Sequence, residues 1–224
     1  MNIVLSGYGK MGRMIEEVLE ELNTLGANHV IYHTEDICSL ELDLAKECVC
    51  IDFTTPEAFK KNYKFLADNF KAVIIGTTGW NDIRNDVISY FQSVNTTMIY
   101  GSNFSIGVNI LFRITELCSR LISGYNYSSH LKEIHHIHKL DKPSGTAVTI
   151  ANIMEQELSS SVEIEALREG EVPGTHVVSF ENSVDKITIS HEAFSRVGFA
   201  RGAVEAALMT ENLSGVYEFK DLIK

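Results

Sequence analysis

Short apolar runs alternate with amphipathic stretches along the first hundred residues. Residues 2–5 form a short apolar strand that breaks into glycines. Over residues 14–22, Ile15, Val18, Leu19 and Leu22 recur at helical spacing, with Glu16, Glu17, Glu20 and Glu21 mostly off that stripe. Residues 29–33 and 47–53 read as the second and third strands; in the latter Val49, Ile51 and Phe53 share a face. Thr55-Pro56-Glu57 is a helix start, with an N-cap, a proline at the first position and an acid in the first turn. A fourth strand over 72–76, a helix around 82–91 and a fifth strand over 97–100 complete the alternation. Strand–helix alternation of this kind predicts a parallel sheet covered on both faces.

The second half has a different rhythm. Residues 106–121 predict a long helix with Ile110, Leu111, Ile114, Leu117, Cys118 and Leu121 facing inward. A strand over 131–135, a loop over 136–144 and a helix over 146–158 follow. Strands over 162–167, 175–181 and 186–192 come next, then a helix over 200–210. Consecutive strands predict an antiparallel or mixed sheet, hence a second unit of α+β type. No internal repeat or low-complexity tract interrupts the pattern.

The 224 residues suffice for one large domain or two modest ones. Their net charge of -11 argues against general binding of nucleic acid or of anionic membranes, both of which need clustered cations. An anionic ligand must instead be caught by a few placed cations or free backbone N–H groups. Cys38, Cys48, Cys50 and Cys118 show no C-x-x-C spacing; Cys48 and Cys50 read as small buried residues, and all four as reduced thiols of a cytoplasmic protein. The apolar run at the N-terminus is too short for a signal peptide, and no stretch approaches membrane-spanning length.

Gly7-Tyr8-Gly9-Lys10-Met11-Gly12 is a G-x-G-x-x-G turn between the first strand and the first helix. That context is the one a dinucleotide's pyrophosphate requires, although any tight strand-to-helix turn also favours glycine. An acid for the adenosine ribose belongs at the end of the second strand, where Glu35 is the best placed; it also reads as an ordinary loop acid. Lys10 and Arg13 could pair with a 2′-phosphate, so NADH and NADPH both remain open. Asp52-Phe53-Thr54-Thr55 and Gly76-Thr77-Thr78-Gly79 lie at carboxyl ends of strands, the edge of an open α/β sheet where ligands bind.

Residues 133–147 concentrate three histidines and two lysines in an acidic chain and end in Ser144-Gly145-Thr146, which opens a helix. A helix start offers free N–H groups and a favourable dipole to a carboxylate. Lys139 adds full charge, and a histidine can donate a proton near neutral pH. A metal site built from His130, His135, His136 and His138 is disfavoured: on a strand His135 faces away from His136 and His138, and no cysteine is near.

The stretch from Glu133 to Ala147 resembles the E-x-H-H-x-x-K-x-D-x-P-S-G-T-A signature of the 4-hydroxy-tetrahydrodipicolinate (dihydrodipicolinate) reductase family. The segments beginning at Gly76, Ser102, Arg168 and Ser195 are similar to family segments in the same order. The resemblance implies a Rossmann-type parallel-sheet cofactor domain (1–105 and 197–224) and an α+β substrate-binding and oligomerisation domain (106–196), assembled as a homotetramer. It implies reduction of a small dicarboxylate by NADH or NADPH in the diaminopimelate route to lysine. By position it assigns His135 as proton donor and Lys139 as the lysine of the substrate site, with His136, Ser144, Gly145 and Thr146 around a substrate carboxylate. It places Gly7, Gly9, Lys10, Met11 and Gly12 on the phosphates. Phe53, Thr54, Gly76, Thr77, Thr78, Ser102, Asn103 and Phe104 fall at the nicotinamide end. A non-catalytic nucleotide-sensing or scaffold protein on the same fold would keep the glycine turn but not the proton donor or the lysine; both are present.

Overall fold

The computed structural model describes residues 1–223, in two compact units: residues 1–105 with 199–223, and residues 106–198. The first holds β1 (Asn2–Ser6), α1 (Lys10–Thr24), β2 (Val30–Thr34), α2 (Leu42–Lys46), β3 (Cys48–Asp52), α3 (Pro56–Asn69), β4 (Ala72–Ile75), α4 (Arg84–Val94) and β5 (Thr97–Tyr100). The second holds α5 (Ile106–Ile122), β6 (Ser128–His135), α6 (Gly145–Leu158), β7 (Ile164–Arg168), β8 (Thr175–Glu181) and β9 (Lys186–Glu192). Helix α7 (Val197–Met209) leads back into the first unit, which β10 (Val216–Glu218) and α8 (Phe219–Leu222) complete.

In the first unit six strands run parallel in the order β10-β5-β4-β3-β1-β2. The central strands read as unbroken apolar runs because both faces are covered. Val4, Cys50, Val73, Ile75 and Met98 cluster with Phe59, Leu66, Val87 and Phe91 of the helices. Ile3, Leu5, Ile51, Ile74 and Ile99 alternate with them along the strands and are equally buried. The chain crosses the sheet between β2 and β3, so the carboxyl ends of β1 and β3 flank a topological switch point, where ligands bind in open α/β sheets.

In the second unit a mixed sheet runs β7-β6-β8-β9, with β6 parallel to β7 and antiparallel to β8. Its core joins Leu131, Val178 and Phe180 of the strands to Leu111 and Phe112 of α5 and to Ile150 and Met154 of α6.

Helix α5 corrects one expectation. Ile110, Ile114, Leu117 and Leu121 were expected to face inward, yet they are 43%, 44%, 48% and 65% exposed. The buried face is Val108, Leu111, Phe112, Thr115, Ser119 and Ile122. Both stripes recur at helical spacing. The one turned inward carries small hydroxyl residues at 115 and 119, while the other is purely aliphatic, so counting hydrophobicity favours the wrong face. The β10 strand and the short helices α2 and α8 carry too few periodic positions to be read from sequence. None of the described helices is long and apolar enough to cross a membrane.

Candidate active site

In the first unit the glycine turn fits a pyrophosphate. Gly7 has φ +87°, and a Cβ there would lie 2.6 Å from the Phe53 carbonyl oxygen. A Cβ on Gly12 would overlap the carbonyl of Gly7, whereas Gly9 faces open space. Helix α1 starts at Gly9 with no side-chain cap and no acid in its first turn. Its leading N–H groups and positive dipole end are therefore free of a competing anion. Lys10 is exposed and Met11 half-buried on that turn.

The neighbouring turns are organised by Asp52, which the sequence placed in the turn without a role of its own. Its buried carboxylate accepts from Ser6 Oγ (2.8 Å), Thr54 Oγ1 (3.0 Å) and Thr77 Oγ1 (2.5 Å), while Thr54 N donates to Thr77 Oγ1 (2.8 Å). Burial raises the pKa of Asp52 and these donors oppose the rise. The hydroxyl of Thr77 is thus spent on holding the turn, while Thr78 stays exposed. The Phe53 ring lies on Gly76, where any Cβ would overlap it, and stands 6.1 Å from the ring of Phe104. The structure so brings Phe53, Thr54, Gly76, Thr77 and Phe104 together. Ser102 is exposed and Asn103 buried, its Oδ1 accepting from Ser105 N at 2.8 Å. Glu35 is exposed after β2, where Asp36 caps a short turn. Nearby, the Tyr8 ring stacks on His33 at 4.2 Å, with the Arg13 guanidinium 5.6 Å from the Tyr8 ring centroid.

In the second unit strand alternation turns Leu131, Glu133 and His135 to the covered face of β6. Register sets Arg168 of β7 beside His135 and His176 of β8 beside Glu133. Glu133 is fully buried. It accepts from Ser144 N (3.0 Å), from Ser144 Oγ and from Arg168 (3.1 Å). His135 Nδ1 stands 3.4 Å from its Oε2, and His176 Nε2 3.8 Å. Burial alone would raise the pKa of Glu133. Contacts from His135, Ser144 and Arg168 outweigh it and bring the value to about 2. Burial, helped by the charge of His135, brings His176 down to about 4.

Arg168 also donates to the carbonyls of Lys139 (3.3 Å) and Asp141, fastening the loop that holds the lysine. Lys139 Nζ lies 2.7 Å from Asp141 Oδ1 and keeps part of its surface open. Ser144 caps α6 through Ala147 N (3.2 Å), leaving Gly145 exposed and Thr146 half-buried at the helix start. Burial and the charge of Arg196 lower the pKa of His136, which favours its neutral form. His135 is 7% exposed, and a Cβ on Gly174 would come within 3.0 Å of its Nε2. A glycine at 174 therefore keeps that nitrogen uncovered.

The four-histidine metal grouping weighed from sequence does not converge. Another does: Glu133, His135 and His176 each bring a ligand atom within 4.8 Å of the others. Arg168 and Ser144 already occupy the carboxylate, and a guanidinium at 3.1 Å repels a cation. Arg168, His176 and Gly174 were missed as individual residues; the signal lay in period-2 alternation across three strands whose pairing no single sequence displays.

A chain with one unit carrying a glycine turn at the switch point of a parallel sheet, and another presenting a buried imidazole, a lysine and a capped helix start, is a nicotinamide-dependent oxidoreductase. Residues 1–104 match the family model described as "Dihydrodipicolinate reductase, N-terminus" and residues 107–223 the one described as "Dihydrodipicolinate reductase, C-terminus". The chain belongs to the dihydrodipicolinate reductase family. It is 38% identical to the 4-hydroxy-tetrahydrodipicolinate reductase of Christiangramia forsetii, covering 100% of this chain and 98% of that one. It is 36% identical to that of Thermosipho africanus, over 99% and 96%. The dipicolinate-bound dihydrodipicolinate reductase of Paenisporosarcina sp. TG-14 shares the fold, with a TM-score of 0.81 at 18% identity and 99% of both chains covered.

Proposed function

We propose that the protein reduces 4-hydroxy-tetrahydrodipicolinate, or its dehydrated form dihydrodipicolinate, to tetrahydrodipicolinate in the diaminopimelate route to lysine. The observation that carries this reading is the juxtaposition of His135, Lys139 and the start of α6 within one family segment. A bound nicotinamide supplies the hydride. Gly7, Gly9, Lys10, Met11 and Gly12 would hold its phosphates; Phe53, Thr54, Gly76, Thr77, Thr78, Ser102, Asn103 and Phe104 would frame its reactive end. Glu35 suits a ribose diol and Lys10 with Arg13 a 2′-phosphate, so the cofactor is NADH, NADPH or both.

Lys139 binds one substrate carboxylate, sharing its charge with Asp141. Ser144, Gly145, Thr146 and His136 hold a carboxylate at the helix start, where free N–H groups and the dipole favour an anion. Hydride addition to a conjugated imine leaves an enamine-like centre that needs a proton. His135 delivers it from Nε2, since its Nδ1 is turned to Glu133. His135→Ala should lower kcat roughly 100-fold or more with cofactor affinity unchanged. Lys139→Ala should raise KM for the dicarboxylate and lower kcat as well. Steady-state kinetics check both; an unchanged kcat removes His135 from the mechanism, and a loss confined to cofactor affinity moves Lys139 to the other site.

The reading includes a homotetramer built through the second unit. The exposed aliphatic stripe of α5 is surface of the sort that association covers. Sedimentation velocity of the assayed enzyme reads this directly, and a monomer contradicts it.

A further inference from the structure

We infer that Glu133 is a positioning residue: one buried carboxylate orients the imidazole of His135, fixes the start of α6 through Ser144 and, through Arg168, fastens the turn that carries Lys139. The inference rests on the proposed reaction for its meaning. It goes further in assigning the proton donor and both carboxylate-holding groups to a single anchor.

Burying a charge is unfavourable unless every lone pair is met. Here three hydrogen bonds and two nearby imidazoles meet it. Glu133 Oε1 takes Ser144 N at 3.0 Å and Arg168 at 3.1 Å. Its Oε2 takes Ser144 Oγ and faces His135 Nδ1 at 3.4 Å and His176 Nε2 at 3.8 Å. Core packing does not call for a carboxylate at this position. Two residues earlier on the same face of β6 stands Leu131, 1% exposed, and an aliphatic side chain at 133 would serve burial equally well. An N-cap serine likewise needs nothing beyond the helix N–H it accepts; Ser144 makes that bond and also gives both its backbone and its hydroxyl donors to Glu133.

The groups facing His135 come from four places. Glu133 lies on its own strand, Arg168 on β7 and His176 on β8, with His136 and Lys139 in the following loop. His191 of β9 pairs in register with His176, behind it. Among these Glu133 is the anion. Its charge favours a proton on Nδ1. That fixes Nε2, on the side where Gly174 has no side chain, as the nitrogen that gives its proton away.

The test uses enzyme labelled with 15N-histidine, in wild-type form and as Glu133→Gln, with imidazole nitrogen resonances compared and assigned by loss in His135→Ala. Loss of the anion should shift the tautomer balance of the His135 imidazole away from Nδ1–H. In turnover, Glu133→Gln should lower kcat about tenfold or more and raise KM for the dicarboxylate, with KM for NADH unchanged. The kcat penalty should shrink in the His135→Ala background, where only the part acting through α6 and Lys139 remains. An unmoved His135 signal, or an equal kcat penalty in both backgrounds, overturns the inference. Should Glu133→Gln fail to fold, Glu133→Asp withdraws the charge by one methylene and is judged by the same shift. The resonance needs no turnover. If wild-type enzyme left nicotinamide unoxidised with dihydrodipicolinate, the proposed reaction would fall while the signal still judged Glu133.

Discussion

At the scale of single residues, Glu133 and His176 make stability depend on acidity in a defined sense. His176 sits near 4 in the folded protein against an ordinary 6.5, because burial disfavours its charged form. The unfolded chain therefore takes up that proton first, and stability falls as pH drops from about 6.5 towards 4. Glu133 sits near 2 against an ordinary 4.5, so its contribution is complete above about 4.5 and is lost as pH falls towards 2. Urea unfolding at stepped pH should show a plateau near neutrality and a decline beginning below about pH 6.5; a midpoint that stays level from neutrality down to pH 4 contradicts the assignment. The residues that anchor these effects were hard to read in advance. His135, Lys139 and Ser144 stand in one contiguous, chemically distinctive segment, so the sequence displays them. Arg168, Gly174 and His176 meet that segment only through strand pairing, and Asp52 looks like any acid at the end of a strand.

At the scale of elements, the glycine turn is where local sequence and function coincide most closely. A methyl group on Gly12 has no space beside the Gly7 carbonyl, so the turn must open to admit it. Gly12→Ala should abolish detectable NADH binding and destabilise the protein by about 1–3 kcal/mol. Calorimetry and thermal unfolding give the two readings, and retained affinity would show that the turn does not carry the pyrophosphate. The βαβ alternation that surrounds this turn was legible because buried parallel strands and capped helices leave strong periodic marks. Thr55 and Pro56, for example, start α3 as their types demand, the hydroxyl of Thr55 accepting from Ala58 N at 3.2 Å. Helix α5 was legible as a helix and misread as to its face. Periodicity specifies a stripe, but which of two stripes goes inward depends on the neighbours, and here α6 and the sheet accept a face that includes Thr115 and Ser119.

At the scale of the whole molecule, a chain of net charge -11 with 19 lysines and arginines sets two of them in the proposed substrate site. Lys139 and Arg168 stand in the second unit with the histidines, and the first unit leaves its leading helix N-terminus without an acid. The family match runs from residue 1 to residue 223 in two adjoining parts, so the fold class and the reductase assignment rest on almost the entire chain. The reaction itself is most directly tested by mixing purified protein with freshly prepared dihydrodipicolinate and either NADH or NADPH while following nicotinamide absorbance. The account predicts substrate-dependent oxidation of at least one cofactor, yielding tetrahydrodipicolinate; no oxidation of either cofactor by folded enzyme would contradict it.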